Sequence, residues 1–162
     1  VPFDGVEEHN GLQYLKGTDD LFTGKTVSYH PNGKKAVEIS YIQGKENGTN
    51  RQWYANGTLQ NETQIKDGKL NGLWIDYYEN GKKEQEITYE DDYMNGKCTR
   101  WYENGKVKEQ GQNVHCREEG LWIFYYENGL KKEEGAFHEA QKTGLWKEYD
   151  EQGKLVREIN YN

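Results

Sequence analysis

The sequence predicts an all-β chain of tandem 24-residue β-hairpin repeats paired edge to edge into one elongated, twisted antiparallel sheet. Two sets of glycines carry the period. Gly33, Gly57, Gly81, Gly105, Gly129 and Gly153 each follow Asn or Gln and lie 24 residues apart, and Gly24, Gly48, Gly72, Gly96, Gly120 and Gly144 keep the same interval. A fixed period of this length marks one supersecondary unit stacked repeatedly. The third observation is composition. Only 33% of the 162 residues are hydrophobic while 14% are aromatic, which suits a thin sheet covered by amphipathic rings better than a thick aliphatic core.

Taken in order, residues 1–24 read as a degenerate capping repeat. Asn10-Gly11 would be its turn, but Gly11 lies 13 positions before Gly24, against 15 in later units. Terminal repeats deviate because one side of them meets solvent. Six hairpin repeats follow, 25–48, 49–72, 73–96, 97–120, 121–144 and the incomplete 145–162. In the third, Leu73-Trp74-Ile75-Asp76-Tyr77-Tyr78 is the first strand, Glu79-Asn80-Gly81 the turn, and a second strand runs from about Lys82 to Tyr89. Pro31 fixes the turn type. Its φ near −65° suits the second residue of a type I turn, so Asn-Gly is followed into a left-handed glycine and is not a primed two-residue turn. Segments such as Glu90 to Gly96 and His115 to Gly120 read as loops between hairpins.

Strand alternation then sorts the faces. One face is expected to carry the third, fifth, eleventh, fifteenth and seventeenth residues of each unit, including the aromatic row Tyr29, Trp53, Tyr77, Trp101, Tyr125 and Tyr149. The other carries Trp74, Trp122 and Trp146, the row Tyr54, Tyr78, Tyr102 and Tyr126, and repeated Glu and Lys. Gly111 and Gly135 stand where other units have Ile, a substitution that would relieve crowding beneath a Trp ring or let the sheet bend.

The net charge of −7 argues against nucleic acid and against anionic membrane lipid. The glutamates recur beside lysines, as in a solvated sheet face held by cross-strand pairs, not as a catalytic pair. His9, His30, His115 and His138 occupy unrelated repeat positions, so no metal cluster is expected. No catalytic triad, phosphate loop or dinucleotide fingerprint occurs, and neither catalytic nor cofactor-binding residues are assigned. Cys98 and Cys116 are expected as reduced thiols. Asn47, Asn56 and Asn61 match a glycosylation pattern that an Asn-rich repeat produces by coincidence. The start at Val1 leaves open whether a signal peptide has been removed, and Asn162 whether the sequence is truncated.

Motifs such as Gly120-Leu121-Trp122-Ile123-Phe124-Tyr125-Tyr126-Glu127-Asn128-Gly129 resemble the bacterial variant of the MORN repeat. Leu15-Lys16-Gly17 followed by Leu21-Phe22-Thr23-Gly24 is similar to the opening of YwqK-like antitoxin proteins. The resemblance implies a bacterial hairpin array used for binding or scaffolding, without catalytic residues, in the cytoplasm or exported. Two functions remain open. A protein-interaction module would use the Trp74, Trp122, Trp146 row with Tyr54, Tyr78, Tyr102 and Tyr126 as its surface. A glycan or cell-envelope binder would stack sugar rings on the same rows. Exposed sheet edges would also permit end-to-end self-association.

Overall fold

A computed structural model describes residues 1–162 as two compact units, Val1–Gly81 and Lys82–Asn162. Both are built of antiparallel hairpins, and the only helical segment is a single 3-10 turn at Phe3–Gly5. The all-β class and the tandem hairpin repeat are as the sequence predicts.

In the first unit, β1 (Val6–His9) and β2 (Leu12–Leu15) form a separate two-stranded hairpin. Asn10 and Gly11, both at positive φ, close it as a two-residue primed turn. Its backbone is tied to the first repeat: Gln13 N–H donates to Gly44 O at 2.8 Å, and Phe22 N–H donates to Gln13 O at 2.9 Å. Phe22 packs on Tyr41 with ring centroids 5.7 Å apart, both rings buried. The unit's main sheet holds β3 (Gly24–Tyr29), β4 (Lys35–Ile42), the short β5 (Lys45–Glu46), β6 (Gly48–Trp53), β7 (Leu59–Lys66) and β8 (Lys69–Tyr77).

In the second unit, β9 (Lys83–Glu90), β10 (Tyr93–Trp101), β11 (Val107–Val114), β12 (Arg117–Tyr125), β13 (Lys131–His138), β14 (Gln141–Tyr149) and β15 (Leu155–Tyr161) pair consecutively.

Two kinds of turn alternate. At Asn-Gly the chain makes the expected type I turn: Gly33 N–H donates to His30 O at 2.9 Å, Gly33 has φ 82°, and His30 N–H donates to Lys34 O at 2.8 Å. The segments expected as loops are instead two-residue primed turns. Asp91-Asp92, His115-Cys116 and Glu139-Ala140 all have positive φ at both residues, and the strands run right up to them. A right-handed sheet twist favours primed turns between strands.

The expected face assignment is corrected by a bulge. Ser28 pairs with Val37 but Tyr29 with Lys35, so Ala36 is an extra residue in its strand. Gln60, Lys108, Lys132 and Val156 are skipped in the same way. One inserted residue moves the rest of a strand to the opposite face. The second and fourth residues of each unit therefore share a face with the thirteenth, fifteenth and seventeenth, and the fifth-position aromatics share the other face with the glutamates.

In Lys82–Asn162 the first of these faces is the core. Ile87, Cys98 and Trp122 are its buried centre, with Tyr89, Met94, Phe124 and Phe137 packed against them. Trp146 extends it, meeting Phe137 edge-on at 5.0 Å and Tyr161 at 6.3 Å.

Candidate functional site

The glycines that end each repeat shape the surface. Between Gln110 and Gln112 the pairing partner jumps from Ile123 to Glu119, so Gly120, Leu121 and Trp122 face Gly111 alone. The same excess occurs at Gly144, Leu145 and Trp146 opposite Gly135. Gly120 (φ 69°) and Gly144 (φ 63°) take the left-handed backbone that this bulge requires. The two side chains that follow are driven apart. Trp122 and Trp146 turn into the core, 3% and 1% exposed, while Leu121 and Leu145 turn out on the opposite face, 59% and 52% exposed.

This takes Trp122 and Trp146 out of the sequence-predicted surface. Trp122 donates its indole N–H to Gln112 O at 3.1 Å and Trp146 to Ala136 O at 3.0 Å, so even their polar edges are internally satisfied. Trp74, half-buried, donates to Asp76 Oδ2 at 2.9 Å. The tyrosine row serves the turns. Tyr54, Tyr102 and Tyr126 donate their hydroxyls to the carbonyls of Tyr77, Tyr125 and Tyr149 at 2.7–2.8 Å, each tying one turn to the next. Tyr78 holds the same repeat position and is likewise half-buried. Of the predicted surface, Trp122 and Trp146 are core, and Tyr54, Tyr102 and Tyr126 are turn struts.

The outward face carries the fifth-position aromatics within a ladder of ion pairs. In Val1–Gly81, Glu38 accepts from Lys25 at 2.7 Å and Lys35 at 2.9 Å, and these hydrogen bonds hold its carboxyl down at about 2. Lys35 also lies 5.4 Å over the Trp53 ring. In Lys82–Asn162, Lys83 pairs with Glu86 and lies 5.8 Å over Trp101, while Glu134 accepts from Lys131 and from the Tyr149 hydroxyl, both at 2.7 Å. The Lys131 bond, then the Tyr149 bond, lowers the Glu134 carboxyl, and the same contact raises Tyr149. Most charges of the ladder have partners within it, and Leu121 and Leu145 are exposed on this face, as are Tyr29 and Leu155.

Near them a groove of about 300 Å³ is lined by Lys97, Gln110, Gly111, Gln112, Leu121 and Ile123. Elsewhere, no group of three or more His, Cys, Asp or Glu is assembled for a metal ion. Cys98 is buried and Cys116 exposed, both as free thiols, with burial pushing the Cys98 thiol up. Sequence reasoning did not single out Leu121 and Leu145 as exposed residues. Their signal was the Leu-Trp dipeptide at the head of a repeat, where strand alternation sends one side chain in and the other out.

An array of hairpins with an ion-pair ladder on one face and an aromatic core on the other is a repeat protein. The chain belongs to the MORN repeat variant family, whose model matches residues 22–43, 46–67, 70–91, 94–112, 118–137 and 142–162. Repeats of this kind are generally binding and scaffolding motifs. A search of curated proteins finds no match to the chain.

Proposed function

We propose that the chain is a non-catalytic binding module that takes a protein partner on the ladder face of Lys82–Asn162. The observation that carries this reading is the pair of leucines, Leu121 and Leu145, held in solvent at corresponding places of two successive repeats by glycine bulges that bury the adjoining tryptophans. A single exposed leucine is ordinary. Two presented by the same backbone device, beside half-buried Trp101, Tyr125 and Tyr149, give an apolar strip inside a charged rim, which is the anatomy of a protein interface. A toxin would be one such partner, and that narrower role rests only on the similarity of residues 15–24.

A glycan binder would stack sugar rings on the same Trp and Tyr rows. Burial of Trp122 and Trp146, with lysine ammonium groups over Trp53 and Trp101, favours the protein reading over it.

The test is a photo-crosslinking residue placed at 121 or 145, with one at 152 in an exposed Asn-Gly-type turn as control, exposed to lysate and envelope fractions. A defined protein crosslinked from 121 and 145 but not 152, and lost from the Leu121→Lys, Leu145→Lys variant, is expected. Retention of polysaccharide alone, or the same protein retained by the variant, overturns the reading.

A further inference from the structure

The fourteenth residue of the six repeats is Glu38, Glu62, Glu86, Gln110, Glu134 and Glu158. Gln110 alone lacks the carboxylate. Its loss is matched across the strand pair. Where Arg51 pairs with Glu62 at 2.6 Å and Lys147 with Glu158 at 3.9 Å, the corresponding cross-strand pair is Thr99 and Gln110, both uncharged. The ion-pair ladder is therefore interrupted at one repeat, and the groove lies at that interruption.

Three features give the groove a definite chemistry. Lys97 at its rim makes no ion pair, unlike Lys83, Lys131 and Lys147 on the same face. Gln110 spends its amide N–H on the Tyr125 hydroxyl at 3.2 Å, while exposed Gln112, Cα partner of Lys97, is left with an amide able both to donate and to accept. Leu121 and Ile123 form an aliphatic wall, and the backbone of residue 111 runs between the two glutamines.

We propose that this groove is a docking site for an extended peptide segment in which an Asp or Glu stands one or two residues from an aliphatic side chain. The inference rests on the binding-module reading and specifies its partner. The ammonium of Lys97 meets the carboxylate, the Gln112 amide meets the peptide backbone, and the aliphatic side chain packs on Leu121 and Ile123. The chain's net charge of −7 would by itself favour basic ligands. Exposed charges beyond a Debye length of about 8 Å are largely screened at physiological salt, so the unpaired cation at the rim sets local selectivity.

A phage-displayed random heptapeptide library selected on the full chain, with counter-selection on Leu121→Lys, tests this. Peptides pairing Asp or Glu with Leu, Ile or Val are expected. Their titrated affinity should fall about tenfold in Lys97→Gln, the loss of one charge-assisted contact, and change less than about twofold in Lys147→Gln. Enrichment of basic peptides, no peptide surviving counter-selection, or equal affinity in Lys97→Gln overturns the proposal. A protein still crosslinked from position 145 in those cases would leave the binding-module reading standing, so the two fail separately.

Discussion

The Trp146 indole lies directly over Gly135, so close that a methyl group on residue 135 would sit 2.2 Å from Cδ2 of the ring. Trp122 covers Gly111 in the same way. Where the fifteenth position is Ile87, the facing residue is the small Cys98, and where it is Thr63 the facing Trp74 remains half-buried. Bulk on one strand is balanced by its absence on the next, as close packing demands. The core of Lys82–Asn162 is thus a sum of complementary pairs.

Gly135→Ala should destabilise the chain by about 1–3 kcal/mol, because the buried indole cannot move without forfeiting its contacts to Phe137 and Tyr161. Combining Gly135→Ile with Trp146→Cys recreates the Ile87 and Cys98 pair and should recover part of what Gly135→Ile alone loses. Thermal melts of the two singles and the double, read as a double-mutant cycle, check this; additivity would show that the pair is not coupled.

The period, the turn type and the glycine beneath tryptophan were all legible in the sequence because each is written in a specific residue: the spaced glycines, Pro31, and Gly111 with Gly135. The faces were not. The bulge residues Ala36, Gln60, Lys108, Lys132 and Val156 share no chemistry, since a residue outside the pairing ladder imposes none, and one missed insertion inverts every later side chain. The primed turns were half legible. Gln43-Gly44 and Asp67-Gly68 carry the glycine that marks them, and the period projects the same turn onto Asp91-Asp92, His115-Cys116 and Glu139-Ala140, which lack it. The Trp row was placed on an open surface for the same reason the faces were exchanged.

Tyr126→Phe removes the hydroxyl that donates to Tyr149 O at 2.8 Å and leaves the ring in place. A loss of about 0.5–1.5 kcal/mol is expected, the net worth of one hydrogen bond with its acceptor left wanting. Hydrogen exchange should show the largest loss of protection in β14 and β15, whose connecting turn the strut holds; a uniform loss along the chain would contradict a local role.

Leu121→Lys with Leu145→Lys should leave stability within about 0.5 kcal/mol of the parent, since neither side chain has more than half of its surface to lose from water exclusion. Trp146→Ala should instead cost about 3–5 kcal/mol, by opening a cavity under Phe137 and Tyr161. Comparing denaturation midpoints of the two variants separates the outward residue from the inward one at a single bulge. Equal losses would mean that both are core.

The two thiols should differ in reactivity. Cys116, exposed in its turn, should react with a thiol-specific disulfide reagent in the native chain, whereas Cys98, 1% exposed and held protonated by burial, should react only on unfolding. One equivalent released at once and a second released at the rate of unfolding is the expected trace; two fast equivalents would place Cys98 outside the core.

Glu38 sets an acid limit for the Val1–Gly81 unit. Its carboxylate is held by Lys25 and Lys35, with Arg51 at 3.8 Å, and titrates at about 2 instead of 4.5. A pKa lowered in the folded state means that the unfolded chain binds the proton first, so the stabilisation is complete above the ordinary carboxylate range and is lost as pH falls from about 4.5 towards 2. Because both lysines are half in solvent, screening leaves a contribution on the order of 1–2 kcal/mol. Glu38→Gln should therefore lower the unfolding midpoint at pH 7, where three cations lose their shared partner, and the gap to the parent should narrow as the pH approaches 2. Melts of both proteins between pH 2 and 7 measure that gap directly. A difference that stayed constant across the range would assign the loss to packing around residue 38 and not to its charge.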